Sequence, residues 1–273
     1  MSTSNQFVAF FGATGGCANA CLTHTLNAGL HATALARTPS KLANMLRAQG
    51  VSQQTLDAQL RIIQGDILDV ASIKRTLISI NEKTGDIVVA SHIISGIGAS
   101  AQMKKSLTKP VVIDNPTVCA TALENTVEAL QQIYAEHPVV GQLHKPSITV
   151  ISSTGISDGP EDVPFGLRFL YHTVLATPHK DKKNMEELAL QNEATAEHPT
   201  GVFRGAIVIR ASLMTGDQDI KKGKGWQKLK VGREEKPALG YTVRRSDVGQ
   251  WIFEQIIKKG DGNWLGQKIT LTN

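Results

Sequence analysis

Gly12, Gly15 and Ala18 stand at the spacing Gly-x-x-Gly-x-x-Ala within the run Gly12-Ala-Thr14-Gly15-Gly16-Cys17-Ala18. The chemistry such a run can do is to hold a diphosphate. A glycine at 12 permits a tight turn, and a glycine at 15 lets backbone N–H groups approach phosphate oxygens. A small residue at 18 lets the following helix pack closely on its strand. The phosphates then meet the unpaired amides and positive end of that helix. At the end of the next apolar run, Leu35-Ala36-Arg37 carries a cation where an NAD enzyme usually carries an acid for the ribose hydroxyls. Lys41 follows four positions later. Two cations suit the dianionic 2′-phosphate of NADP. The expected cofactor is therefore NADP(H) rather than NAD(H).

Hydride transfer asks little of a protein beyond geometry, but a proton donor must reach the anion that develops. Ser153, closing the run Ser147-Ile-Thr-Val-Ile-Ser152, is the first candidate to donate a hydrogen bond to substrate. The competing reading is a hydroxyl that satisfies nearby backbone. Lys182, in an Asp-Lys dipeptide that opens a helix, is a candidate to stabilise negative charge or touch a cofactor ribose. Lys180, Asp181 and Lys183 beside it fit a plain surface helix equally. Tyr171 and His179 are lesser candidates as acids on the substrate side, because both residue types more often pack than catalyse. Gly155-Ile-Ser157-Asp-Gly159 matches the G-x-S-x-G of a serine-hydrolase elbow. An elbow needs a strand, one sharp turn and an immediate helix, whereas Pro160-Glu-Asp-Val-Pro164 continues as loop, so the match is read as chance.

The elements that must position these residues alternate. Gln6–Phe11 is a short continuous apolar run of the kind a parallel strand buried on both faces requires. A helix follows, with Ala18, Cys21, Leu22, Thr25 and Leu26 at helical spacing and Gly29 as its stop. Further strands are expected at 31–35, 60–64, 86–91, 147–152 and 203–210. Helices are expected at 40–49, 70–81, 117–136 and from Ser246 to about Lys259, and 268–272 reads as an added edge strand. Short apolar strands alternating with helical periods specify an α/β fold, a doubly wound parallel sheet of Rossmann type. The whole chain, 1–273, reads as one domain, with a small substrate region from late insertions at about 155–180 and 211–245.

Composition narrows the function classes. The chain is 41% hydrophobic and 19% charged, an ordinary globular balance. No apolar run approaches the roughly 20 residues that span a bilayer, and the polar start lacks the basic segment of a signal peptide. Three cysteines suit a reducing compartment rather than a disulfide framework, and the expected location is cytoplasmic. The eight histidines show no ligand spacing, so no metal site is expected. The net charge of +5 is concentrated in residues 221–236, where seven cations face two acids. With Trp226 as its sole aromatic, that segment does not read as a nucleic-acid surface. A solvated loop is the first reading, and a flap over an anionic ligand the second. No dimerisation helix stands out, so the default is a monomer acting on a small molecule.

The runs Gly-Ala-Thr-Gly-Gly-Cys-Ala, Ala-Leu-Ala-Arg37-Thr-Pro-Ser-Lys41-Leu and Gly65-Asp66-Ile-Leu-Asp69 resemble atypical short-chain dehydrogenase/reductases of NmrA-like type, the biliverdin-IXβ/flavin reductases among them. Ile-Ser-Ser-Thr154-Gly, His179-Lys-Asp-Lys182, Val208-Ile-Arg210 and Arg245-Ser-Asp-Val248-Gly extend the resemblance over nearly the whole chain. It implies that Gly12, Thr14, Gly15 and Cys17 line the phosphates, that Arg37 and Lys41 hold the 2′-phosphate, and that Asp66 and Ile67 flank the adenine. Ser91 and His92 would run beside the nicotinamide ribose, with Ser152 and Ser153 facing the nicotinamide. Two departures stand out. The Tyr-x-x-x-Lys pair of short-chain dehydrogenases is absent, since Leu175 follows Tyr171, and the Arg-Pro after the sixth strand is Arg210-Ala211. The expected function is NADPH-dependent reduction of a conjugated carbonyl, quinone or flavin-like molecule. A non-catalytic NADP(H)-binding regulator and a redox-neutral isomerase or cyclase are the other readings.

Overall fold

The computed structural model describes residues 6–81, 84–99, 101–103 and 111–273, and its apolar runs assemble into one eight-stranded sheet. The polar start before Gln6 and Pro110 lie outside the described residues. The strands are β1 Phe7–Phe11, β2 His31–Ala36, β3 Leu60–Gln64, β4 His92–Ser95, β5 Ser147–Ser153, β6 Gly205–Ala211, β7 Lys230–Arg233 and β8 Gln267–Thr272. Their spatial order is β3-β2-β1-β4-β5-β6-β8-β7, with every pairing parallel except β7 on β8. The helices are α1 Gly16–Asn27, α2 Pro39–Ala48, α3 Gln53–Gln59, α4 Val70–Leu77, α5 Val118–Glu136, α6 Pro138–Leu143, α7 Ala176–Gln191 and α8 Arg245–Ile252.

Strand side chains alternate between two cores. Val8 and Phe10 of β1 face a core built with α1, α2 and α8, including Leu22, Leu46 and Trp251. Phe7, Ala9 and Phe11 face the other, built with α4, α5 and α7, including Leu77, Leu130 and Met185. This is why the sheet strands read as continuous apolar runs. The reversal of strand order falls between β1 and β4, and ligands of such sheets bind at that point beyond the carboxyl ends of the strands.

Three expectations need correction. The fourth sheet strand is His92–Ser95, not 86–91; Ile87–Val89 pairs instead with Ile78–Ile80 in a small antiparallel hairpin, which also ends α4 at Leu77. The C-terminal strand is interior, because β8 pairs with β6 on one side and β7 on the other, leaving β7 as the edge. The lysine-rich stretch is neither a free loop nor a flap. Asp247 of α8 accepts the Gly225 N–H at 3.1 Å, Gln250 that of Trp226 at 3.2 Å, and β7 follows. Among the described residues no helix is long and apolar enough to cross a membrane.

Candidate functional site

The β1–α1 loop takes its shape from glycines and one buried asparagine. Gly12 has φ +68°, and a Cβ there would lie 2.7 Å from the Gly96 carbonyl; no other residue type fits both constraints. The Gly15 N–H donates to the Gly12 carbonyl at 2.8 Å. Asn19 Nδ2 donates to the Ala13 carbonyl at 2.7 Å, and Gln49 donates to Asn19 Oδ1, so a helix side chain clamps the loop. Neither Asn19 nor Gln49 carried a sequence signal. Gly15 caps α1 without any side-chain hydrogen bond, and the first turn holds no acid. The first amides of α1 thus face the loop opening without a partner from the helix, the arrangement that attracts an anion. Cys17 offers its backbone here rather than its thiol. Its Sγ meets Met214 Sδ at 3.4 Å, and burial pushes the thiol up to about 12.

Two connected cavities follow the carboxyl edge of the sheet. One, about 400 Å³, is lined by Gly12, Thr14, Arg37, Lys41, Asp66 and Ile67 among others. The second, about 350 Å³, is lined by Gly15, Gly16, Cys17, Ala18, Lys182, Met214 and Arg245 among others. Both share Gly15 and the stretch from Gly96 to Ala99, so they form one crevice across the switch point. Arg37, Lys41, Lys182 and Arg245 make no ion pair with a carboxylate among the described residues. Arg37 and Lys41 share their cavity with Asp66 and Asp114, whereas Lys182 and Arg245 line the other with Asp181. A larger groove, about 1000 Å³, opens beside Ser91 and Arg204 at the amino edge, where none of the glycine or cation motifs reaches.

The four catalytic candidates do not converge. Lys182 lies in the second turn of α7 rather than at its opening; its Nζ donates to the Ile151 carbonyl at 2.8 Å and lines the cavity. Its neighbour Asp181 is buried, and its carboxylate accepts the N–H groups of Cys119 and Ala120 at 2.9 Å each, capping α5 from another helix. Ser153 is half-buried at the end of β5, on the same face as the cavity-lining Ile151. Ser152 points to the opposite face. It is fully buried opposite Arg210, with no hydrogen-bond partner for its hydroxyl among the described residues. Tyr171 is 1% exposed and packs on His179 with ring centroids 5.4 Å apart. Burial raises the Tyr171 phenol and pushes His179 down to about 4, the positive charges of Lys182 and His172 adding to the latter. Both stand behind the cavity wall, outside its lining.

Ser91 and His92 fall at the wrong end of the sheet. His92 is paired with Val8 at the start of β1 and Ser147 at the start of β5, whereas Ser95 reaches the level of Phe11. Its Nδ1 bonds Ser147 Oγ at 2.6 Å and its Nε2 bonds Thr149 Oγ1 at 2.8 Å. Asp261 lies beside them, held by Arg204 at 2.7 and 3.0 Å. Burial opposes its ionisation, yet hydrogen bonds from His92, Arg204 and Ser147 hold its carboxyl well below the usual range. This Ser–His–Asp grouping braces the amino ends of three strands. The strand-four residues at the crevice are instead Gly96 and those following. Ser157 is no nucleophile elbow either: β5 ends at Ser153, no helix follows at once, and its hydroxyl accepts the Gly159 N–H at 3.1 Å.

A crevice over the carboxyl edge of a sheet in this order, beside a glycine-rich loop and an open helix terminus, defines a doubly wound α/β protein of Rossmann-type fold with its crevice at the switch point. The chain is 42% identical to the protein named oxidase pynE of Aspergillus niger, over 98% of this chain and 99% of that one. It is 39% identical to reductase pytE of Aspergillus terreus over the full length of both. The chain belongs to the family of these fungal oxidoreductases. No protein-family model matches it. A short-chain dehydrogenase/reductase of Veillonella parvula shares the fold, with TM-score 0.64 and 12% identity over 98% of this chain and 94% of that one.

Proposed function

We propose that the protein is an NADPH-dependent reductase of NmrA-like type, acting on a conjugated carbonyl, quinone or flavin-like small molecule. The observation that carries this reading is the continuous crevice with exposed Arg37 and Lys41 at one end, neither of them ion-paired among the described residues, and Lys182 at the other. A diphosphate fits the middle, where a Cβ at Gly12 would strike Gly96 and the α1 amides stand open. Arg37 and Lys41 would hold the 2′-phosphate, and Asp66 and Ile67 would flank the adenine. When bound, the reduced nicotinamide supplies the hydride. Lys182 presents positive charge to an anion developing at the far end, steadied by its bond to Ile151, and Ser153 offers a hydroxyl nearby. Leu175 and Pro178 from the first late insertion and Met214 from the second wall that end, consistent with a substrate region built from both.

The name of the 42%-identical relative favours a second reading. In it the same crevice would hold NADP⁺ beside a substrate alcohol, with the cofactor as the hydride acceptor and solvent as the proton acceptor. Fluorescence titration with NADPH and NADH tests the cofactor, and turnover over a panel of quinones, flavins, conjugated ketones and the matching alcohols tests the direction. NADPH is expected to bind at least about tenfold more tightly, the worth of a charge-assisted phosphate contact, and Arg37→Glu to remove that preference. Equal binding of both cofactors, or an unchanged preference in R37E, defeats the assignment of NADP(H).

A further inference from the structure

We propose that Arg245 binds the cofactor diphosphate, closing over the amides of α1 from the opposite side of the crevice; this rests on the reading that the crevice takes NADP(H). No sequence motif assigned it a role, and its position follows from how α8 docks on α1. The two helices meet at backbone contact: a Cβ at Gly249 would lie 2.4 Å from the Cys17 carbonyl oxygen and 2.8 Å from the Cys21 nitrogen. Arg245 stands one turn earlier on the same face of α8. That offset carries its side chain across the first residue of α1. A Cβ at Gly16 would lie 2.3 Å from Arg245 Cδ and 3.0 Å from its Cβ, so the glycine at 16 is the space through which the arginine passes.

Arg245 lines the same cavity as Gly15 and Cys17. Its Nη1 donates to the Gly216 carbonyl at 2.7 Å, which fixes the fork. Five N–H donors on a planar cation leave four after that bond, and no carboxylate among the described residues pairs with them. A half-buried arginine whose stem crosses the first residue of α1 and whose oriented guanidinium keeps spare donors suits the bidentate geometry that phosphate oxygens prefer. Arg37 and Lys41 lie at the other cavity, so Arg245 would act on a different phosphate.

Two ligands separate the two phosphate sites: NADPH, and adenosine 2′-monophosphate, which has no 5′-phosphate. Arg245→Ala is expected to weaken NADPH by about 10- to 100-fold, the range of a charge-assisted hydrogen-bond pair, while leaving adenosine 2′-monophosphate unchanged. Arg37→Glu should weaken both. Gln and Lys at 245 separate charge from architecture, since either can still donate to Gly216. Arg245→Lys is expected to recover part of the NADPH affinity and Arg245→Gln none, with melting temperatures close to wild type. Wild-type affinity in R245A or R245Q overturns the proposal, as does an effect confined to the KM of an anionic substrate. Failure of the wild type to bind NADPH at all would instead overturn the cofactor reading on which it rests.

Discussion

Replacing Asp181 by alanine should show how the helix that carries Lys182 is held. The Asp181 carboxylate is 5% exposed, and each oxygen accepts one first-turn N–H of α5, from Cys119 and Ala120, at 2.9 Å. Nothing local substitutes for it. Thr117 makes no side-chain capping bond, and the first turn of α5 contains no acid. In Asp181→Ala two buried donors lose their acceptors, at about 1–3 kcal/mol each. The helix also loses a carboxylate at its positive end, worth about 0.3–2 kcal/mol. A total near 4 kcal/mol is expected. With a urea m-value of about 3 kcal/mol/M, the midpoint should fall by about 1 M or slightly more. Asp181→Asn keeps one acceptor oxygen and should lose roughly half as much. Urea unfolding followed by far-UV circular dichroism and tryptophan fluorescence reads the shift. A midpoint within about 0.3 M of wild type at unchanged m would refute the account, because the α5 amides would then have another acceptor. Pro116 and Cys119 line the same cavity as Lys182, so loosening this joint should also raise the KM for the cofactor.

The remaining predictions concern buried charge. His179 titrates near 4 in the folded protein, below its unfolded value of about 6.5. The unfolded state therefore binds the extra proton. The stabilisation is fully present above pH 6.5 and is lost as pH falls toward 4, on the order of 3 kcal/mol across that window. His179→Phe should flatten the slope there in denaturant titrations at several pH values, and an unchanged slope would show that another group is responsible. Arg210 and Glu186 are both about 2% exposed and paired at 2.7 Å, with Glu234 as a more exposed second partner of the arginine at 3.0 Å. Glu186→Ala should cost about 3–5 kcal/mol by leaving a buried charge uncompensated, and Glu234→Gln distinctly less. Equal losses of chemical stability in the two variants would contradict this.

Gly12, Gly15, Ala18, Arg37 and Lys41, which line the crevice, stood out in the sequence because the unit that contains them is local, while Asp66 entered only through the family resemblance. A buried strand, a turn, an amphipathic helix and the next strands follow one another, and each carries its own signal. The position of the fourth strand could not be read this way. Ile87-Val-Val-Ala and His92-Ile-Ile-Ser are equally apolar short runs, and only pairing of the second with β1 and β5 makes it the sheet strand. That choice moved His92 from the expected crevice to the opposite edge of the sheet. Residues that act across long separations left no pattern either. Asp181 caps α5, Asn19 holds the loop, and Arg245 enters the cavity because Gly249 lets two helices touch. The sequence by itself determined the doubly wound class and the glycine-loop end of the crevice, since hydrophobic period and turn chemistry are written in neighbouring residues. Only the tertiary structure decided which side chains face the other end, because side-chain direction there depends on strand register and helix contact distance, which packing sets.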